Sequence, residues 1–327
     1  MTKTSVVTTV AYPTIPIVFL GGINSDRTPL YDTMGLAVTT PNETTRTETT
    51  IHFTPTSKGT TVKFFLNGTE ITGLRGRQIV DSIKKFVAKS QHTGDLIIQS
   101  KNIDIFSGSS DSGLAALYTG LNAALDLHYP KEKLLLHAMK GSESAGRSLF
   151  GGLTLTKVHS RPLTVEQIAS AEELEAIKLF SVPFHYPSRL SADEIHAGIV
   201  TNPNFPKRVK RIPDWVSKIV SAARKRDFIT MLTLAEENIR NAHELLEGVN
   251  LFVRKREMMR LCHQLEVMRE RGIMAYYLIG GGNLITVATT VEFAGQVAKE
   301  LQTKGWSFHP YKVAGPPKIL ANSVTTV

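Results

Sequence analysis

A single cysteine, Cys262, stands in the 327 residues, so no disulfide can form within the chain and no multi-cysteine metal site can exist. The fold must rest on packing, and a reducing compartment is expected. No apolar run is long enough to cross a bilayer as a helix: the most apolar N-terminal stretch, Ala11 to Ile23, is short and contains Pro13 and Pro16. Only Lys3 precedes that stretch and no convincing cleavage site follows it, so no signal peptide and no membrane association are expected, and the reading is of a cytoplasmic protein. The ten histidines are scattered at spacings that suit no metal, and each reads as structural. Cys262, between Leu261 and Leu265 of a helical pattern, reads as an inert core thiol. Internal repeats and low-complexity tracts are missing.

The chain does have enough apolar material to bury a large core, with 42% hydrophobic and 20% charged residues, which excludes disorder and collagen-like structure. Its length is roughly that of two ordinary domains. Thirty-eight Lys and Arg against 29 Asp and Glu leave a net charge of +9, which favours anionic partners without choosing among nucleotides, phosphorylated metabolites, nucleic acid or acidic lipid.

Periodicity divides the chain into two textures. Short Thr-, Val- and Ile-rich runs at Ser5 to Val10, Ile15 to Leu20, Thr60 to Leu66 and Asp95 to Gln99 read as strands. Gly76 to Lys89 and Asp111 to Leu127 carry apolar residues at helical spacing, and Leu134 to Lys140 opens a further helix. From about Pro187 helices dominate: Ser191 to Val200, Pro213 to Arg226, Ile229 to Leu246 and Leu251 to Arg271. Two strands, Ile273 to Ile279 and Leu284 to Ala288, flank the turn Gly280-Gly281-Gly282-Asn283. A helix over Val291 to Leu301, a last strand over Trp306 to Val313 and a frayed tail complete the expected order.

Two clusters could carry chemistry. Ser107-Gly108-Ser109-Ser110-Asp111-Ser112-Gly113 precedes the apolar stripe of the helix after it, which places backbone N–H groups and hydroxyls at the positive end of a helix dipole. Plain capping by Ser110 or Asp111 accounts for one or two of these residues but not for the row of small donors. The cluster lacks both the Gly-Lys-Ser/Thr ending of a P-loop and the dinucleotide fingerprint. In the second, Glu143 and Arg147 stand four apart, on one face if helical, among small residues that end in Phe150-Gly151-Gly152. An exposed ion pair is the plain reading; close packing around charges suggests a ligand. The basic runs 207–211, 224–226 and 254–256 have few aromatics near them, only Trp215, Phe228 and Phe252, and read as solvated helix faces rather than a nucleic-acid surface.

Together, Ala11-Tyr12-Pro13-Thr14-Ile15-Pro16-Ile17-Val18-Phe19-Leu20-Gly21-Gly22, the serine loop 107–113, Ser142 to Gly152 and Gly280 to Asn283 occur in the order of the GHMP small-molecule kinases. Ser144-Ala145-Gly146-Arg147-Ser148-Leu149-Phe150-Gly151-Gly152 resembles the diphosphomevalonate decarboxylase branch, and within it the archaeal mevalonate 3-kinases. The resemblance implies an α+β, two-lobed GHMP kinase fold: an N-terminal lobe similar to the second domain of ribosomal protein S5, residues 1–182, and a C-terminal α/β lobe, residues 183–327. It implies ATP and Mg²⁺ as cofactors. Ser107, Gly108, Ser109, Ser110 and Asp111 would bind the phosphates, with Ser109 or Ser110 meeting the metal. Leu20, Gly21, Glu143, Ser144, Arg147 and Arg189 would bind mevalonate or a close 3-hydroxy acid analogue. A cytoplasmic homodimer without nucleic-acid or membrane partners is implied.

Where the decarboxylases have a Lys in the first strand this chain has Val18, and where they have an Asp four residues before the Asn of the glycine turn it has Ile279. Loss of both charges argues for a protein that stops after phosphorylating the 3-hydroxyl. The second position varies within the family, so no catalytic base is assigned. Phosphoryl transfer through a loose transition state needs placement and charge neutralisation more than a base. The alternatives are a decarboxylase of a phosphorylated mevalonate and, from another class, an RNA-binding protein using the S5-like lobe and the basic helices.

Overall fold

The computed structural model describes residues 3–326. The first half builds β1 (Lys3–Ala11), β2 (Thr14–Val18), β3 (Thr33–Thr39), β4 (Arg46–Pro55), β5 (Thr61–Leu66), β6 (Thr69–Glu70), α1 (Leu74–Lys89), β7 (Gly94–Ile103), α2 (Ser109–Ala124), α3 (Lys131–Ala138), α4 (Ala145–Phe150), β8 (Leu153–Lys157) and β9 (Thr164–Ala169). The second builds β10 (Ile177–Pro183), α5 (Ala192–Ile199), α6 (Phe205–Arg224), α7 (Phe228–Glu247), α8 (Arg256–Glu270), β11 (Tyr276–Leu278), β12 (Leu284–Thr290), α9 (Ala294–Thr303), β13 (His309–Val313) and β14 (Lys318–Thr326).

Two sheets and two cores organise these elements, the two-lobed α+β arrangement expected. In the order β14-β1-β4-β7-β5-β6, the first sheet is antiparallel except for the parallel pair β5 and β7. Strands β4 and β7 alternate buried and more exposed residues along most of their length, which gives this sheet one apolar face. Val7, Ile51, Phe53, Leu96 and Ile98 on that face meet Ile83, Phe86 and Val87 of α1 and Leu114, Leu117 and Leu121 of α2. The second sheet runs β11-β12-β10-β13-β3-β8-β9, with β2 paired to β3. Its core joins strand residues such as Ile17, Leu36, Val182 and Ile285 to Trp215, Ile219, Leu232, Ile239, Leu261 and Leu265 of α6, α7 and α8. Because β13 lies between β10 and β3, this sheet takes strands from both halves of the chain. The expected border at 182/183 falls at the end of β10.

The structure overturns several sequence expectations. Residues after Val313 are not a frayed tail: β14 pairs with β1 from Val10↔Lys318 to Lys3↔Thr326, covering an edge that would otherwise be open. Helix α6 starts eight residues before Pro213, because Phe205, Ile212, Trp215 and Ile219 bury a stripe that outweighs one missing N–H bond. Helix α8 begins at Arg256 rather than Leu251, and α9 at Ala294 rather than Val291. Strands β3, β4, β8, β9 and β10 are not among the expected elements: β3 is buried on both faces, β4 and β8 place threonine where apolar residues would mark the pattern, and β9 and β10 are short with mixed burial.

Candidate active site

A cleft of about 630 Å³ lies among the N-terminus of α2, the turn before α4, the segment entering α5 and the glycine turn between β11 and β12. Ser107, Gly108, Ser109, Ser110, Asp111, Glu143, Ser144, Arg147, Arg189 and Leu20 all line it. Gly21 does not; it lies behind the wall, where its N–H donates to Tyr31 Oη at 2.9 Å. The sequence thus brought ten of its eleven binding candidates to one cavity.

The phosphate loop takes its shape from glycine. Gly108 is the N-cap of α2 with φ 77°, and a Cβ there would meet the backbone N and O of Thr14 at 2.7 Å. No side chain caps the helix, so plain capping by Ser110 or Asp111 is excluded and the first amides of α2 stay open at the positive end of the dipole. The glycine turn closes over the loop: a Cβ on Gly282 would stand 2.8 Å from Ser107 Oγ.

Asp111 faces inward. Its buried carboxylate accepts hydrogen bonds from Thr14, from Ser142 at 2.6 Å and from Ser144 at 2.8 Å. These three hydroxyls take three of its roughly four lone-pair sites, and one residue thereby fixes the start of β2, the α2 terminus and the turn that presents Glu143. Asp111 and Glu143 are the carboxylates of the cleft lining. No group of three or more His, Cys, Asp or Glu among the described residues could hold a metal alone. The oxygen donors at hand are Ser109 and Ser110, which suits an Mg²⁺ ion that takes most of its ligands from phosphate and water.

Glu143 and Arg147 do not share a helical face. Helix α4 starts at Ala145, which leaves Glu143 in the turn before it, paired with Arg27; Arg27 also meets Asp193 at 3.1 Å. Burial lowers the Arg27 pKa, but the two carboxylates outweigh it and leave it raised. An exposed Glu143–Arg147 ion pair is therefore ruled out. Arg147 is 4% exposed and lies across Gly35, where a Cβ would be 2.5 Å from its Cδ. Its guanidinium donates to the Val18 carbonyl at 3.5 Å, and Nε has no partner. Burial pulls its pKa below the usual arginine value, opposed by the charge of Asp111. A buried guanidinium with unused donors is a receptor for an anion.

The wall at Phe19 and Leu20 is held from behind. Arg208, 2% exposed, donates to Asn238 O and Asn238 Oδ1, both at 2.9 Å, and that Oδ1 accepts from the Phe19 N–H at 2.9 Å. The reading of the 207–211 run as a solvated face is therefore corrected for Arg208, whose charge the carbonyls of the wall absorb. Arg211, Arg224 and Arg254 pair with Glu237, Glu166 and Glu247.

Phe64, Leu66, Ile71, Ile79, Leu114 and Leu117, which pack together in the first core, give the cleft an apolar lining, and Ser100 and Asn102 also line it, surroundings that suit a flat ring with a polar edge. Val18 and Ile279 are both 0% exposed and outside the lining.

Comparison with known proteins identifies the family. A family model described as the diphosphomevalonate decarboxylase-like N-terminal domain matches residues 11–164, and the mevalonate-3-kinase C-terminal domain matches residues 190–294. Mevalonate 3-kinase of Thermoplasma acidophilum is 33% identical over 312 residues, 93% of this chain and 95% of that protein. The chain belongs to the mevalonate 3-kinase family. The crystal structure of the Thermoplasma acidophilum mevalonate-3-kinase with mevalonate 3-phosphate and ADP bound superposes with a TM-score of 0.86 at 29% identity, covering 97% of this chain and 99% of that one. Mevalonate diphosphate decarboxylase from Staphylococcus aureus shares the fold, with a TM-score of 0.87 at 19% identity over 97% and 98% of the two chains.

Three residues of the site had escaped the sequence reading of this mevalonate 3-kinase family member. Arg27 lies in a loop without pattern, and Thr14 is one threonine among many. His196, at 7% exposure, lines the cleft although nothing in its spacing marks it.

Proposed function

We propose that this enzyme transfers the γ-phosphoryl group of ATP to the 3-hydroxyl of mevalonate, giving ADP and 3-phosphomevalonate for isoprenoid synthesis. The observation that carries the reading is Arg147: a buried, under-partnered cation in one cleft with the open amides of α2. The apolar lining takes the adenine, and the triphosphate runs along residues 107–111. Mg²⁺, held by Ser109 or Ser110 and phosphate oxygens, would supply charge neutralisation. Arg147 grips the acceptor carboxylate with its fork of donors, and Glu143 accepts from a substrate hydroxyl. Asp111 keeps the serine loop and the acceptor turn in fixed relation, so that the hydroxyl oxygen meets the γ-phosphorus in line as the bond to the β-phosphate oxygen breaks. The hydroxyl proton leaves late, which makes a dedicated base dispensable. The family resemblance supports a cytoplasmic homodimer.

Decarboxylation of a phosphorylated mevalonate is the second reading, and the buried aliphatics Val18 and Ile279 speak against it. Parallel incubations with mevalonate and with 5-phospho- and 5-diphosphomevalonate, each with ATP and Mg²⁺, decide: ADP release that depends on mevalonate, with no CO₂ trapped from any acceptor, is expected. CO₂ release in step with ADP would assign the second reading, and no ADP release would remove the first.

A further inference from the structure

His196 is the histidine of the cleft lining. It is nine-tenths buried, yet its Nδ1 has no hydrogen-bond partner in the protein. A buried ring nitrogen left unpaired destabilises the fold unless something entering the cavity pairs with it. The charged groups that act on the ring are Asp193 of its own helix, Arg27 from the loop after β2, and Arg147 from α4. Burial first, then the two guanidiniums, hold its pKa down to about 4 against the opposing pull of Asp193. The ring is therefore neutral at physiological pH. It offers one donor and one acceptor, which suits a hydroxyl and does not neutralise a phosphate.

The ion pairs of the cleft say which hydroxyl. His196 lines the cleft from α5, the helix whose Asp193 pairs with Arg27, and Arg27 in turn holds Glu143 of the acceptor turn. His196 thus belongs with the acceptor turn rather than with the serine loop at the start of α2. With the tertiary hydroxyl turned to the loop and the carboxylate at Arg147, the arm left for His196 is the one ending in the primary alcohol.

We propose that His196 is a specificity-determining residue that hydrogen-bonds the terminal hydroxyl of the acceptor, so that the site selects a free alcohol at that end. This rests on the kinase reading above and sharpens it. The test is a substrate-and-residue cycle. Wild type, His196→Leu and His196→Asn are assayed on mevalonate and on 3-hydroxy-3-methylpentanoate, which lacks only the terminal hydroxyl. The leucine variant should raise KM for mevalonate about tenfold, the worth of one buried hydrogen bond, with KM for ATP and kcat nearly unchanged. On the deoxy acceptor it should match wild type within about twofold. Asparagine, whose amide reaches the place of Nδ1, should recover most of the loss and carries the test if the leucine variant does not fold. An unchanged KM for mevalonate, or an equal loss on both acceptors, overturns the assignment. Should wild type phosphorylate neither acid, the kinase reading falls by itself. The same cycle is then read as binding by calorimetry, where the same tenfold difference upholds the His196 contact and its absence removes it.

Discussion

Replacing Arg147 with methionine separates what this residue does for chemistry from what it does for the fold. In the free protein the guanidinium reaches one carbonyl at 3.5 Å and leaves Nε unpaired. Methionine follows the same path over Gly35 with an unbranched, adaptable chain. Two opposed terms act on stability. Removing an under-partnered buried cation relieves a desolvation cost, while Asp111 loses a favourable charge nearby but keeps Thr14, Ser142 and Ser144 as donors. These terms nearly cancel, so the unfolding free energy should stay within about 2 kcal/mol of the parent. Catalysis has no such compensation. A bidentate, charge-assisted grip on a carboxylate in a dry cleft is worth about 2–4 kcal/mol, which lowers kcat/KM for the acceptor roughly 30- to 900-fold. Steady-state ADP release and urea unfolding measure the two quantities side by side. A variant that keeps more than a third of the parental kcat/KM would refute the reasoning, as would one whose inactivity tracks a collapse of the urea midpoint.

Asp111→Ala strands three hydroxyls and unlinks the serine loop from the acceptor turn; stability should fall by about 2–4 kcal/mol and kcat by at least about a hundredfold. Urea titration with parental stability would contradict that role. Gly108→Ala forces an alanine to a φ near 77° with its Cβ against Thr14, at a cost of about 1–3 kcal/mol, and KM for ATP should rise because the loop must move; an unchanged melting curve and KM would count against it. His137, His196 and His243 are held down to about 4, 4 and 3, each mainly by burial. The unfolded chain takes up these protons near pH 6.5 and the folded one does not, so the stability they contribute is complete above that pH and declines as pH falls toward 4. Urea midpoints at pH 7.5 and 5 should differ accordingly, and equal midpoints would exclude the effect.

The residues that line the cleft were legible in the sequence where one chemical requirement dominates. The serine loop was legible because small donors ahead of an apolar stripe have few other uses, and Gly108 indeed takes a conformation that only glycine holds cheaply. The Ser144 to Gly152 segment was legible through its small residues, which pack close against Val165, Gly315 and Ala169, whereas the room for Arg147 comes from Gly35 on β3. The Glu143 partner was illegible because Arg27 comes from more than a hundred residues away and is set by how the loop after β2 folds over α5. Arg208 looked like its basic neighbours; only tertiary packing turns it inward to Asn238. The pairing of β14 with β1 was hidden for the same reason, since a nine-residue segment of mixed polarity acquires its role from an edge at the opposite end of the chain.

The proposed reaction passes a phosphorus atom to a tertiary alcohol inside this cleft. Phosphorus NMR of a reaction holding the enzyme, mevalonate, ATP and Mg²⁺ reads that transfer directly. One new phosphomonoester on the tertiary carbon is expected, in equal amount to ADP and persisting without loss of the carboxylate. A phosphate on the primary alcohol, inorganic phosphate accompanied by a decarboxylated product, or no new resonance would contradict it.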